Sequence, residues 1–319
     1  WQAIFYLRVP IGLAAMTMAI IFIRPSEPLP DGASRKLDIP GAIALFATLS
    51  TALLAVNRGQ SWGWTSPTIV GLLMFAGAAL VIFLRVESRA ISPVVSLALF
   101  KIRSYAVGVS SLALNFSGQA AVTFLMPFYL QEVKGFNTAQ TGLVTATVPA
   151  MMLLLSSFSG RISDRYGFRH QTTLGIALVS VGLFSLATLH AGTPVPLIMV
   201  RLALVGIGSA IFMSPNSASI ISSVPRERLG TASASVATSR NIGQAVGLAM
   251  ASTVLVAVAT ASAGFTAEQV ADLPSGAILD GVQVAFLAAA CASCLAIVAG
   301  SVRAGRRTGA GAGGGGGGG

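Results

Sequence analysis

The chain has 319 residues, 54% of them hydrophobic and only 9% charged, with a mean hydropathy of +0.79. A soluble domain carries about 25% charged residues, so this composition excludes an ordinary soluble protein. The net charge of +10 would suit nucleic acid, but the basic residues cluster at the ends of apolar runs rather than along one face, and no nucleic-acid partner is expected.

Nine apolar stretches follow in order, at about 5–23, 39–56, 67–84, 104–131, 140–160, 171–190, 195–214, 230–260 and 278–302. A bilayer crossing takes ~20 apolar residues. Spans this apolar are read as helices, because lipid offers no partner to a free peptide group. The expected fold class is all-α, a polytopic membrane protein with the lipid bilayer as its first partner. Trp1 opens in mid-pattern, with no initiator Met and no charged leader, so the chain is read as a piece of a longer protein.

Lys and Arg set the expected orientation. The loops after the first, third, fifth and seventh spans, with the tail, hold Arg24, Arg35, Lys36, Arg85, Arg89, Lys101, Arg103, Arg161, Arg165, Arg169, Arg226, Arg228, Arg303, Arg306 and Arg307. The alternate loops hold only Arg58 and Lys134. Basic excess marks the cytoplasmic side, which puts the C-terminus in the cytoplasm and Trp1 outside. Trp62 and Trp64 fall in an outer loop, where amphipathic rings prefer the interface. The link 86–103 contains an apolar segment, 93–100, expected to lie along the membrane surface. Residues 304–319, ending in seven Gly, cannot bury a core and are expected to be disordered.

Within the spans, polar residues are few. Arg240 lies about ten residues into the eighth span, or ~15 Å at 1.5 Å per residue. Insertion there costs ~2.5–3.5 kcal/mol. Two readings stand: a residue lining a cavity, or a tie to carbonyls of a neighbouring helix. Ser235, Ser239, Gly243, Gly247 and Ala251 recur every four residues in the same span, and Ser239, Gly243 and Gly247 are assigned to helix packing. Arg201 lies ~9 Å into the seventh span and either faces a cavity or snorkels to the outer surface. The fourth span carries Ser111, Asn115, Gln119 and Thr123 at four-residue steps. Phe116, Phe124, Met126, Phe128 and Tyr129 surround them. That mixture suits loose binding of varied apolar molecules; ordinary interhelical hydrogen bonding is the alternative. The candidate substrate cavity is thus Asn115, Gln119, Thr123, Met126, Arg201, Asn216, Arg240 and Gln244.

No catalytic constellation is present, and no metal site. Cys291 and Cys294 share a helix face without a second pair or His beside them, so they are read as packing residues. No Gly-x-x-x-x-Gly-Lys loop signals ATP drive. No cofactor is expected, and the chain is not read as an enzyme.

The densest polar stretch, residues 160–170, separates two long uncharged runs and is expected to be a short hairpin loop at the membrane surface. Its Gly160, Asp164, Arg165, Gly167 and Arg169 form a Gly-x-x-x-Asp-Arg-x-Gly-x-Arg pattern. The pattern resembles the loop signature of the major facilitator superfamily of transporters. Four further stretches narrow the resemblance: residues 1–12 look like the start of the sixth helix of one branch, 37–41 like its seventh, 125–131 like the end of its ninth, and 230–243 like its thirteenth. That branch is the drug:proton antiporter-2 family, fourteen-helix multidrug exporters. The resemblance covers residues 1 to about 302, with one departure: Phe168 stands where a second basic residue is usual.

The resemblance implies an arrangement. Residues 1–24 would be the last helix of an N-terminal bundle whose other five helices, with the proton-coupling acid, are missing. Residues 25–103 would be two extra linker helices and a cytoplasmic loop, 104–303 the C-terminal six-helix bundle, and 304–319 the tail. It further implies a plasma-membrane protein exporting drugs or other small apolar or cationic molecules by proton antiport with alternating access. Its partners would be the small-molecule substrate, protons and the missing bundle. Alternatives are an exporter of one metabolite or antibiotic, an inactive truncated fragment, and a membrane scaffold.

Overall fold

The computed structural model describes residues 2–22, 38–89, 97–166, 168–225, 228–265 and 272–301. For residues 160–166, 168 and 169 it describes the backbone alone. Among the described residues every regular element is helical, as lipid demands of an open chain. Six of the described helices are long and apolar enough to cross a membrane. The other three expected spans correspond to the helices Gln2–Phe22, Ile39–Trp62 and Phe168–Leu186.

The first unit, residues 1–37, contributes one described helix, α1 (Gln2–Phe22), with Pro10 inside it. The rest forms a second unit. Its first hairpin is α2 (Ile39–Trp62) and α3 (Pro67–Glu87). Asp38 caps α2, its carboxylate accepting from Gly41 N at 2.9 Å, and Ser66 caps α3 through Ile69 N at 3.3 Å. Each cap satisfies an orphan donor of the first turn. At the expected outer end, the Arg58 guanidinium lies 5.3 Å from the centre of the Trp62 ring. A short 3₁₀ turn, Leu97–Lys101, leads into the bundle. Residues 90–96, most of the segment expected along the membrane surface, lie outside the described residues, as does the Gly-rich tail.

The bundle comprises α4 (Arg103–Phe128), α5 (Thr138–Thr145), α6 (Thr147–Tyr166), α7 (Phe168–Leu186), α8 (Val195–Ser222), α9 (Leu229–Ala263) and α10 (Ser275–Ser301). Two boundaries differ from expectation. The single span at 140–160 is broken at Ala146, because Pro149 has no N–H for the carbonyl four residues earlier. The loop expected over 160–170 contracts: helix runs to Tyr166 and resumes at Phe168. Charged residues there occupy helix ends, so a change in polarity did not mark a change in backbone. After α4, a π turn over Tyr129–Val133 closes on Gly135, at φ +70°. There Phe136 N reaches Leu130 O at 2.8 Å and Gly135 N reaches Gln131 O at 3.1 Å. This left-handed closure is open to glycine without a steric cost.

The buried core divides in two along the helices. One cluster holds Leu125, Leu186, Leu202, Leu255 and Phe286. The other holds Tyr105, Leu112, Ile176, Phe212 and Ala296. The order in which each chain segment meets the two clusters shows α4, α7 and α9 running one way and α8 and α10 the other. Between the clusters lie small or polar buried residues: Ser117, Gly208, Ser209, Gly243, Gly247 and Ser293. Small residues let backbones approach. A β-carbon at Gly208 would stand 2.7 Å from Gly175 O of α7, and one at Gly243 or Gly247 would collide with the carbonyl of Ala113 or Ser117 of α4. Association in lipid depends on such close packing and on interhelical hydrogen bonds. One such bond, Ser180 Oγ to Ser293 Oγ at 3.0 Å, joins α7 and α10.

Candidate functional site

The polar residues of α4 and α8 form a seam. Asn216 Nδ2 donates to Gly108 O at 3.0 Å, which pins the two helices together. Moving the other way along both, Asn115 and Ser209 each lie seven residues from that pin, about 10 Å at 1.5 Å per residue. The two therefore stand at one level. Both are buried, at 1% and 0% exposure. Asn115 Oδ1 accepts from Gln119 Nε2 at 3.2 Å, while Asn115 Nδ2 and Ser209 Oγ have no hydrogen-bond partner. Further along, just past the end of α4, Tyr129 is fully buried. Its phenol donates to His190 O at 2.9 Å. Arg201 is half-buried, and its Nη1 is buried without a hydrogen-bond partner.

The expected cavity set is brought together only in part. Asn115, Gln119 and Asn216 belong to the seam, whereas Arg201, eight residues from Ser209 on α8, is turned about 80° from it. Met126 is fully buried in the first core cluster. Thr123 is exposed, its hydroxyl folded back onto Gln119 O at 3.0 Å. A four-residue step turns 400° on a helix, so the stripe drifts 40° per step. The drift takes it from buried Ser111 and Asn115 to half-buried Gln119 and exposed Thr123. Arg240 and Gln244 are both exposed on α9, and no described neighbour covers either. Ser239, Gly243 and Gly247 lie on the other face, buried against α4. Of the signature, Gly167 lies outside the described residues. Gly160, Asp164, Arg165 and Arg169 have helical backbones with side chains outside the description.

A groove of about 500 Å³ between α6 and α8 is lined by Met152, Leu153, Ser156, Ala210, Met213, Ser214 and Ser217. Sequence reasoning missed it. The signal was present in Met152-x-x-x-Ser156 and Met213-Ser214-x-x-Ser217, where soft and polar residues recur at helical spacing.

Sequence reasoning also missed a three-helix clamp. Pro215 removes the N–H that would bond Ile211 O. Ser159 Oγ of α6 donates to that carbonyl at 3.2 Å. Gln171 Nε2 of α7 in turn donates to Ser159 O at 2.9 Å and to its Oγ at 3.0 Å. Both side chains are buried, so α6, α7 and α8 are tied beside the signature segment. Ser159→Ala leaves the Ile211 carbonyl unsatisfied. It is expected to lower stability by about 1–3 kcal/mol, read as a reduced midpoint of thermal unfolding in detergent. A wild-type midpoint would show that the clamp contributes nothing.

Among the described residues no group of three or more His, Cys, Asp or Glu could hold a metal ion. The seam holds buried hydrogen-bonding groups without partners, and among the described residues it has no nucleophile–base pair.

The sequence is similar to known proteins. The family model described as Major Facilitator Superfamily matches residues 1–248. "Riboflavin transporter RibZ" of Clostridioides difficile is 34% identical over 255 residues, 78% of this chain and 53% of that protein. "Multidrug resistance protein Stp" of Mycobacterium tuberculosis is 28% identical over 258 residues, 81% of this chain and 47% of that protein. "Tetracenomycin C resistance and export protein" of Streptomyces glaucescens is 26% identical over 250 residues, 78% of this chain and 46% of that protein. The chain spans about half the length of the curated relatives it matches.

Proposed function

The chain belongs to the major facilitator superfamily, a family of membrane transporters and not of enzymes, and from that premise we propose that it forms part of a secondary active exporter of small molecules. The observation that carries this is the α4–α8 seam: buried hydrogen-bonding groups with unused capacity, midway along membrane-length helices. Binding sites of secondary transporters lie near the bilayer midplane, between packed repeats that rock about them. In this reading residues 104–303 are one such bundle and residues 25–103 a linker pair. In the same reading the exposed Arg240 and Gln244 of α9 face the other bundle. The drug:proton antiporter-2 branch fits the motifs, and the relatives named for drug or antibiotic resistance support export. Drive by protons and residence in the plasma membrane belong to the same proposal.

Neither α4 nor α8 contains a carboxylate. The coupling carboxylate is therefore placed outside the seam. The test is a transport assay in everted vesicles, using the full reading frame that contains this chain. Substrate accumulation should cease when an ionophore collapses the pH gradient. Accumulation that survives the collapse would remove proton coupling. No accumulation across a broad compound panel would remove the transporter reading itself.

A further inference from the structure

We propose that the groove between α6 and α8 takes uncharged, flat aromatic molecules that carry carbonyl and hydroxyl or N–H groups; this rests on the transporter reading and names its cargo. The groove has a volume of about 500 Å³, within the range of about 300–1,000 Å³ of small-molecule sites. Its wall on α8 is the stripe Ala210, Met213, Ser214 and Ser217, at the steps of three and four residues that share a helix face. Opposite on α6, Met152 and Ser156 stand four residues apart on one face. Along α6 the groove lies between two fixed points. At one, a β-carbon on Gly206 of α8 would stand 2.7 Å from Val148 O, so the two helices meet there at backbone distance. At the other, Ser159 Oγ holds Ile211 O of α8. The shape of the groove is thus set by its own helices, which lowers the ordering cost of binding.

The lining decides the class of ligand. Other hydroxyls in the bundle fold back onto their own helix, as Thr145 does on Thr141 O at 2.8 Å and Ser239 on Ser235 O at 2.7 Å. Ser214 and Ser217 make no hydrogen bond to any described residue. Both lie inside the 28-residue α8 rather than at its ends. Lipid tails offer such hydroxyls no partner, whereas a ligand with carbonyl and N–H groups does, since each hydroxyl donates one bond and accepts two. Met152 and Met213 are half-buried, and their flexible thioethers make favourable contacts with aromatic rings. No residue lining the groove is charged. Arg201, nine residues before Ala210, is half a turn round α8 from it, and the first charged position on α6, Arg161, is turned about 140° from Ser156. An ion entering the groove would give up water with only hydroxyls in return, a loss that a neutral molecule escapes. The resemblance implied apolar or cationic cargo, but the groove has no carboxylate to receive a cation.

Acridone, 10-methylacridinium and acridine-9-carboxylate share three fused rings and are neutral, cationic and anionic at pH 8, which makes them the probes. Binding is read by fluorescence anisotropy to this chain in nanodiscs of zwitterionic phosphatidylcholine, with the signal of empty nanodiscs subtracted. Acridone should bind about tenfold tighter than either ion. Ser214 is exposed, so Ser214→Leu fills the groove without disturbing the core and should abolish acridone binding. Ser214→Ala combined with Ser217→Ala should weaken it about tenfold. Met152→Leu combined with Met213→Leu keeps the volume, removes the sulfur and should weaken it by a smaller factor. The ratio of the three dyes is internal to each sample, so partial loss of folded protein does not disturb it. Equal or tighter binding of either ion to the wild-type chain would overturn the inference and leave the transporter reading standing. Acridone binding unchanged by both Ser214→Leu and the double Ser→Ala variant would place the dye elsewhere and also overturn it. No acridone binding above that of empty nanodiscs would give the groove to lipid chains and overturn the inference, while the vesicle assay judges the transporter reading separately.

Discussion

Gly243→Leu and Gly247→Leu are each expected to pull α9 away from α4 and to cost about 3 kcal/mol or more, the upper range for overpacking a well-filled interface. The obstacle is main chain, not a side chain that can rotate. A β-carbon at Gly243 falls on the Ala113 carbonyl, and one at Gly247 on the Ser117 carbonyl. Relief requires the two helices to separate, and separation undoes the rest of the stripe. Ser235, Ser239 and Ala251 are buried on the same face of α9. Its 40° drift per step then carries the face toward α10, where Leu255 and Ala259 meet Gly281. The readout is heat-induced loss of monodisperse protein in detergent. Gly230→Leu and Gly276→Leu serve as controls, since a β-carbon at either meets nothing within 4 Å. A Gly243→Leu protein that melts with the wild type would show that α4 and α9 are not in this contact.

The small-residue stripe was legible in the sequence because its signal is local: a four-residue period of Ser, Gly and Ala in an apolar run. The helices themselves were legible for the same reason. What the sequence did not reveal depends on neighbours. Arg240 was placed by depth alone, and depth fixes the cost of burial without saying which face is covered. The Ser159–Gln171 clamp spans three helices, and it exists because Pro215 frees a carbonyl that lies 52 residues from Ser159. No periodicity carries that relation. The seam was half legible. The polar stripe of α4 was read as one face, but helical drift turns Thr123 outward and leaves Asn115 enclosed. Ser209, its partner in level on α8, looks from sequence like one more small residue in a Gly-rich helix.

The charge asymmetry of the loops leads to an all-or-none expectation about orientation. Gly230 and Gly276 are each the second residue of a helix, α9 and α10, and each has open space where a side chain would go. They are a matched pair for cysteine substitution, differing in the side of the membrane on which they are expected. Arg226 and Arg228 precede Gly230, while the connection before α10 holds Glu268 and Asp272 and no Lys or Arg. Basic residues near span ends stay in the cytoplasm, and acidic ones contribute little. In a background with Cys291 and Cys294 replaced by Ala, Gly276→Cys should react with a membrane-impermeant maleimide added to intact cells. Gly230→Cys should react only after the cells are opened. Since α9 crosses once between them, the two results must be opposite if it spans the membrane at all. Labelling of both sites in intact cells would sink the crossing. Labelling of Gly230→Cys alone would invert the protein, moving the signature segment and the C-terminus to the outside.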